Sequence, residues 1–134
     1  GSCIGICLQD KRTKLSALIH IMLPINMEAG RKNTMKYADT GIRETLKQME
    51  ARGARRANIV AKVAGGAKMF ETAQGSALGN IGKRNADSVH MILRAEKIPL
   101  LAEDLGGTTA RTISFDPGTG KVTVRSYGKA DYVI

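Results

Sequence analysis

The fold is decided near the N-terminus, by the stretch CIGICLQDKRTKLSALIHIMLP at residues 3–24. Two apolar runs, at 3–8 and 15–23, follow each other on either side of a polar turn that we place at 9–12. Short apolar runs separated by a polar turn are typical of paired antiparallel strands. Pro24 has no backbone N–H for a strand ladder, so it ends the second strand. We therefore predict a β-hairpin over these residues.

Two amphipathic helices are predicted downstream of the hairpin. Apolar side chains recur every three or four residues after Thr34 and again after Asn85. Gly53 is expected to end the first helix, and Asn85 is expected to be the N-cap of the second. Residues 71–80 are expected to form a mobile loop. Further strands are predicted at 58–64, 98–102, 108–115 and 121–125, with a turn at 116–120.

The order of these elements, ββ-α-β-α-βββ, predicts the fold class. It indicates a mixed α/β, or α+β, fold with a layered sheet covered by helices. A chain of 134 residues fits a single domain, 1–134, that folds without a disulfide or a metal. The two cysteines lack the neighbouring ligands of a zinc site, and no cofactor-binding motif is recognisable. We therefore expect no metal and no cofactor.

The chain is basic, with a formal net charge of +9 from 21 Lys and Arg against 12 Asp and Glu. Such a balance raises nucleic-acid binding as a hypothesis. The basic residues are scattered, however, and no aromatic residue lies among the densest patches to stack a base. We expect no nucleic-acid partner, since an acidic protein suits the same surface. No apolar run is long enough to span a membrane, and two thiols favour a reducing, cytoplasmic setting.

Cys3 and His20 form the candidate catalytic pair. If the turn is centred near residues 10–13, paired residue numbers sum to 23, which places Cys3 opposite His20 and Leu8 opposite Leu15. Cross-strand side chains lie about 5 Å apart in such a hairpin. A cysteine and a histidine in contact form a thiolate–imidazolium pair, which activates the thiol as a nucleophile. The residues alone also allow a buried structural cysteine and a satisfied core histidine.

Other polar and glycine-rich features give weaker functional hypotheses. His90 lies beside the apolar stripe of the second helix and is expected to be a partly exposed surface residue, whereas Cys7 is expected to be a buried core thiol. The carboxylates at 103–104 are neighbours on a strand and face opposite ways, which excludes a paired acid–base site. The Gly-Gly pairs at 65–66 and 106–107 lack the spacing of a phosphate loop, and we interpret both as turns.

Six segments, in order along the chain, carry a resemblance to a known family. They are residues 1–8, 20–24, 36–39, 61–70, 81–85 and 102–107, followed by Arg111 and Phe115. With their matching spacing, these segments are together highly specific, although each alone is a weak signal. The chain resembles the CheD family of chemoreceptor glutamine deamidases over essentially its full length.

The resemblance implies a function, a fold and a site. The family hydrolyses the side-chain amides of selected glutamines on methyl-accepting chemoreceptors, which yields glutamate and ammonia. Its catalytic cysteine corresponds to Cys3 and its catalytic histidine to His20. Its fold is similar to the catalytic domain of deamidating cytotoxic necrotizing factor toxins, and a CheC-type phosphatase is an expected partner. The family's catalytic threonine lies in a segment before Gly-Ser-Cys that has no counterpart here, so we expect a domain without that segment.

A second hypothesis is non-catalytic. The chain would then be a binding module of the chemotaxis system that docks on CheC or on receptor helices through its basic surface. Binding that survives Cys3→Ala, with no change in receptor glutamines, distinguishes this hypothesis from the deamidase. Nucleic-acid binding ranks last, and it predicts a steep loss of affinity with added salt.

Overall fold

The computed structural model describes residues 1–26, 33–68 and 80–134. In these ranges the helices are α1 (Ala38–Ala51) and α2 (Ile81–Ala95), with short 3-10 turns at Thr34–Lys36 and Arg56–Asn58. The strands are β1 (Ile4–Asp10), β2 (Ser16–Ile21), β3 (Ile59–Gly65), β4 (Leu100–Leu105), β5 (Arg111–Asp116), β6 (Lys121–Ser126) and β7 (Tyr132–Val133). The mixed α/β class predicted from the sequence is confirmed.

The described strands form two sheets. The first has the order β2-β1-β3-β4, and β1 pairs antiparallel with both of its neighbours. β3 and β4 are parallel, and α2 lies in the connection between them, because parallel neighbours need a long crossover. The second sheet has the order β5-β6-β7 and is antiparallel. Neither described helix is long and apolar enough to cross a membrane.

Both faces of the first sheet are covered along most of β1. Alternate side chains on one face, including Ile4, Ile6 and Leu8, pack in a core with the apolar stripes of α1 and α2. On the opposite face, Cys7 packs against Val122 and the other apolar side chains of the second sheet. The result is three layers, in the order helices, first sheet and second sheet. The second sheet does not cover this face near the start of β1, and a cavity opens there.

The β1–β2 hairpin is correctly predicted, but its register is wrong by two residues. Gly5 lies opposite His20 and Leu8 lies opposite Ala17, so paired numbers sum to 25 rather than 23. The difference arises because β1 continues to Asp10, whose N–H donates to the Leu15 carbonyl at 2.9 Å and closes a longer loop. A shift of two residues preserves the face on which each side chain lies, since the period of a strand is two.

Several other boundaries also differ from expectation. Asn85 is not the N-cap of the second helix, because α2 begins at Ile81 and Asn85 is buried within it. Gly53 follows the end of α1 with a φ of 104°, as expected of a glycine stop. The short strand β7 was not predicted. The expected mobile loop at 71–80 lies outside the described residues except for Asn80, which directly precedes α2.

Candidate active site

A cavity of about 400 Å³ opens where the second sheet leaves the start of β1 uncovered. Its floor is the end of the first sheet, and its wall is the beginning of β5. Both Cys3 and His20 line it, so the structure brings the two predicted site residues to one cavity. The other lining residues are Gly1, Gly5, Leu18, Ile19, Ala64, Gly65, Arg111, Thr112 and Ile113.

Cys3 directly precedes β1 and is half-buried, with a free thiol. Its carbonyl accepts a hydrogen bond of 2.9 Å from the Gly66 N–H. Gly65 and Gly66 have φ values of 129° and 68°, which side-chain-bearing residues rarely adopt. A Cβ on Gly65 would also overlap the Cys3 carbonyl oxygen. The sequence predicted only a turn at this glycine pair, but the pair also contacts and hydrogen-bonds the backbone of Cys3.

His20 faces the cavity rather than the core. Burial alternates along the end of β2, where Leu18 and His20 are exposed while Ile19 and Ile21 are buried. The alternative of a satisfied core histidine is therefore wrong. Because His20 lies opposite Gly5, Cys3 occupies the diagonal position on the same face. Diagonal neighbours in a regular ladder lie about 7–8 Å apart, within reach of long side chains.

The two side chains are near each other without being bonded. Among the residues that the structure describes, no hydrogen bond joins the Cys3 thiol to the His20 imidazole. Catalytic hydrogen bonds are often long before substrate binds and tighten in the substrate complex. Gly5 contributes no side chain between them, so nothing on β1 separates the thiol from the imidazole.

Asn85 is a part of this region that sequence reasoning missed. Its side chain is fully buried, and its Nδ2 donates to the carbonyls of Ser2 and Met22, each at 3.0 Å. Its position on α2, four residues before Val89, places it on the buried face of the helix. A polar residue at apolar spacing was the available signal, but its interpretation as an N-cap removed it from the helix interior.

The chain is similar to known proteins along its whole length. A family model described as CheD chemotactic sensory transduction matches residues 22–126. The chain is 45% identical, over 100% of its length and 84% of the relative's, to the probable chemoreceptor glutamine deamidase CheD of Syntrophomonas wolfei. It is 44% identical to the chemoreceptor glutamine deamidase CheD of Halalkalibacterium halodurans, over 94% of this chain and 79% of that one. This chain belongs to the CheD family.

The two predicted site residues lie outside the range that the CheD family model matches, which begins at Met22. The alignment with the Syntrophomonas wolfei relative spans the whole chain and therefore includes both of them. A second relative, the probable chemoreceptor glutamine deamidase CheD of Clostridium botulinum strain Eklund 17B, is 47% identical over 96% of this chain and 80% of its own length. The family resemblance predicted from the six sequence segments is confirmed.

Arg111 forms part of the cavity wall in this CheD protein, and sequence reasoning gave it no role. Its side chain is 11% exposed, and its Nε lies 3.2 Å from the Asp104 carboxylate. Its two terminal nitrogens donate to the carbonyls of Gly65, at 3.2 Å, and Gly106, at 2.8 Å. The guanidinium therefore joins β5 of the second sheet to the ends of β3 and β4.

The predictions for His90 and for the carboxylates at 103–104 agree with the structure. His90 is half-exposed, and its Nε2 lies 2.5 Å from the Glu103 carboxylate. Glu103 and Asp104 have different partners on different sides of β4, so they form no acid–base pair. No group of three His, Cys, Asp or Glu side chains within the described residues is arranged to hold a metal ion.

Cys7 is the buried core thiol that the sequence predicts. Burial away from water raises its pKa to about 11, an effect that the nearby positive charge of Lys62 opposes but does not cancel. Cys7 borders a second cavity of about 250 Å³ between the sheets, near the far end of β1. The Lys62 ammonium there donates to the carbonyls of Gly120 and Ile134, at 3.0 and 2.9 Å. Nucleophilic chemistry needs a thiolate, and the Cys7 thiol is protonated. The Lys62 ammonium is already hydrogen-bonded to two carbonyls, so this second cavity is not a candidate catalytic centre.

Proposed function

We propose that this protein is a chemoreceptor glutamine deamidase, in which Cys3 is the nucleophile and His20 the general base. The observation that carries the proposal is that Cys3 and His20 line one cavity at the open end of the first sheet. Membership of the CheD family supplies the substrate class, because its relatives are named for deamidation of chemoreceptor glutamines. The proposed substrates are therefore glutamine side chains of methyl-accepting chemotaxis proteins.

The proposed reaction is acyl transfer through a thioester. His20 takes the proton of the Cys3 thiol, and the thiolate attacks the carboxamide carbon of the substrate glutamine. Backbone N–H groups near Ser2 and Cys3 hold the tetrahedral oxyanion. Protonated His20 then gives its proton to the nitrogen as the C–N bond breaks, and ammonia leaves. A water molecule deprotonated by His20 hydrolyses the thioester, which releases glutamate and restores the thiol.

The cavity suits a side chain that enters from a protein surface. It lies at an edge strand, β2, and its rim includes Leu18, a residue that is 54% exposed. A volume of about 400 Å³ lies at the small end of the range for ligand pockets, which suits one amide side chain and its approach. Substrate selection beyond the glutamine itself falls to the surface around this opening.

Four further properties belong to the same proposal. We infer a fold similar to the catalytic domain of deamidating cytotoxic necrotizing factor toxins, on the basis of the sheet-and-helix layers around a Cys–His site. Residues 1–134 are taken as one domain, since β5 and β6 pack on β1 through a shared core. A CheC-type phosphatase is the expected protein partner. A cytoplasmic location is supported by two free thiols.

Substitution of the two proposed catalytic residues tests this function. Ammonia release from a purified chemoreceptor fragment should be lost in Cys3→Ala and in His20→Ala, while both variants unfold as cooperatively as the parent. Normal turnover in His20→Ala would show that another group is the base. Receptor binding without any deamidation, in the parent as well as in Cys3→Ala, would favour the binding-module hypothesis instead.

A further inference from the structure

Asn85 of α2 links the ends of the two strands that carry the proposed catalytic residues. Its Nδ2 donates to the carbonyl of Ser2, which precedes Cys3, at 3.0 Å. The same nitrogen donates to the carbonyl of Met22, two residues after His20, at 3.0 Å. Both amide hydrogens are thus used on carbonyls of the segments that bear the candidate nucleophile and base.

The ladder between β1 and β2 ends at Ile4 opposite Ile21, so the Ser2 and Met22 carbonyls lie beyond it. Where backbone pairing stops, the amide of Asn85 continues the connection between the two strands. Among the described residues, no other hydrogen bond joins a donor to either of these two carbonyls. Loss of the amide would therefore remove the hydrogen bond from both carbonyls at once.

Planarity of the peptide group extends the effect of this contact to Cys3. A hydrogen bond to the Ser2 carbonyl fixes the orientation of the whole Ser2–Cys3 peptide, including the Cys3 N–H. The peptide on the other side is held by the Gly66 N–H, which donates to the Cys3 carbonyl at 2.9 Å. With both flanking peptides held, the backbone torsions of Cys3 are set, and so is the direction of its Cα–Cβ bond.

The amide oxygen of Asn85 indicates that this residue is not placed there for stability alone. Its Oδ1 is buried and has no hydrogen-bond partner among the described residues. Turning the amide over would bring Oδ1 against two carbonyl oxygens, so the donor assignment follows from the acceptors. A buried amide oxygen without a partner lowers stability, and a core position on α2 is better filled by an apolar side chain. The two donors explain why an asparagine stands there.

We propose that Asn85 is a positioning residue, which holds Cys3 at the distance and angle from His20 that activation of the thiol requires. This inference rests on the proposed function and deepens it. Asn85 acts through two backbone carbonyls and touches neither the substrate nor the reacting atoms. Displacement of a nucleophile by about 1 Å lowers the rate by up to about 100-fold, whereas binding of a protein surface is unaffected.

A matched control lies one turn further along α2. Ser88 is also buried, and its Oγ donates to the Pro24 carbonyl at 2.9 Å, a tether to the chain after β2 that does not reach the Cys3 segment. Deamidation of a receptor fragment should show a kcat about 10- to 100-fold lower for Asn85→Ala, with KM within about twofold. Ser88→Ala should lower the melting temperature and leave kcat unchanged. Unaltered kcat in Asn85→Ala, or an equal loss in Ser88→Ala, would overturn the proposal.

Alkylation of Cys3 by iodoacetamide gives a readout that needs no receptor. The alkylation rate should fall in Asn85→Ala and stay at the parent value in Ser88→Ala. If Asn85→Ala does not fold, Asn85→Ser replaces it, and the same fall is expected. In a His20→Ala background, Asn85→Ala should cause no further fall, because the partner to which it aligns Cys3 is already gone. A further fall in that background contradicts the positioning role. A parent protein that is alkylated in this pattern yet deamidates nothing contradicts the proposed function and not the role of Asn85.

Discussion

Gly5 of β1 lies directly opposite His20 of β2, and the absence of a side chain at Gly5 opens the floor of the cavity. Its neighbour on the same face of β1, Cys7, is covered by the second sheet. A Cβ built on Gly5 would lie 2.6 Å from the Cδ1 atom of Ile113, which reaches over from β5. The cavity thus exists because the strand has no side chain where the second sheet begins to cover it.

The variant Gly5→Val should therefore lose activity while it keeps the fold. Valine suits a strand, and the atom that it meets first is the far end of the flexible Ile113 side chain. The new side chain and the displaced Ile113 occupy space beside His20, so kcat/KM for receptor deamidation should fall by at least about tenfold. The control is Gly118→Ala in the β5–β6 turn, where a Cβ meets the Asp116 carboxylate. Full activity in Gly5→Val would show that deamidation does not require the space that the missing side chain leaves at Gly5.

The two thiols should differ in reactivity. Iodoacetamide at pH 7 should label Cys3, which lines the cavity, and leave Cys7 unlabelled. Burial raises the pKa of Cys7 to about 11, so this thiol stays protonated at pH 7 and is also covered. Peptide mapping after limited alkylation distinguishes the two, and in denaturant both should react. Equal labelling in the folded protein would show that Cys7 is accessible.

The ion pair between Arg111 and Asp104 should contribute to stability because it is largely buried. Arg111→Ala should lower the free energy of unfolding by about 3 kcal/mol, since it leaves the Asp104 carboxylate without its partner. Arg125→Ala is the control, because the Arg125–Asp131 pair has the same 3.2 Å separation but side chains that are 58% and 56% exposed. That change should cost less than about 1 kcal/mol in urea unfolding. Equal effects would show that burial does not decide the contribution.

Asp10 should make stability depend on acid pH. Hydrogen bonds from backbone N–H groups, first that of Arg55 and then those of Thr13 and Arg12, hold its pKa below the ordinary 3.8. The folded state therefore binds this proton less readily than the unfolded state. The stabilisation is complete above about pH 3.8 and is lost as the pH falls through the lower, folded pKa. Asp10→Asn should be less stable at pH 7, and the difference should shrink in acid, whereas a constant difference would contradict this.

Much of the architecture is predictable because its signals are local. The apolar alternation of β1 and β2 and the stripe of α1 each depend on neighbouring residues, and both indicate the correct element. The hairpin register is not local in the same way. Its loop is shaped by Asp10, which accepts a hydrogen bond from the N–H of Arg55, 45 residues away. No pattern within residues 3–24 reveals that contact.

The site is predictable to a lesser extent. Cys3 and His20 were paired from strand geometry and the family resemblance, and the error of two residues in register left them on one face. Asn85 and Arg111 were missed because their roles depend on contacts across 83 and 46 residues of chain. Side chains that support a site from distant elements give only a weak signal in the sequence, such as a polar residue on an apolar stripe.

Mass spectrometry of a purified chemoreceptor fragment tests the central claim most directly. The fragment is incubated with the parent protein, with Cys3→Ala and with Cys7→Ala, which removes the buried thiol as a matched control. We expect a gain of about one dalton at specific glutamines with the parent and with Cys7→Ala, and none with Cys3→Ala. Deamidation by Cys3→Ala at the parent rate would contradict Cys3 as the nucleophile.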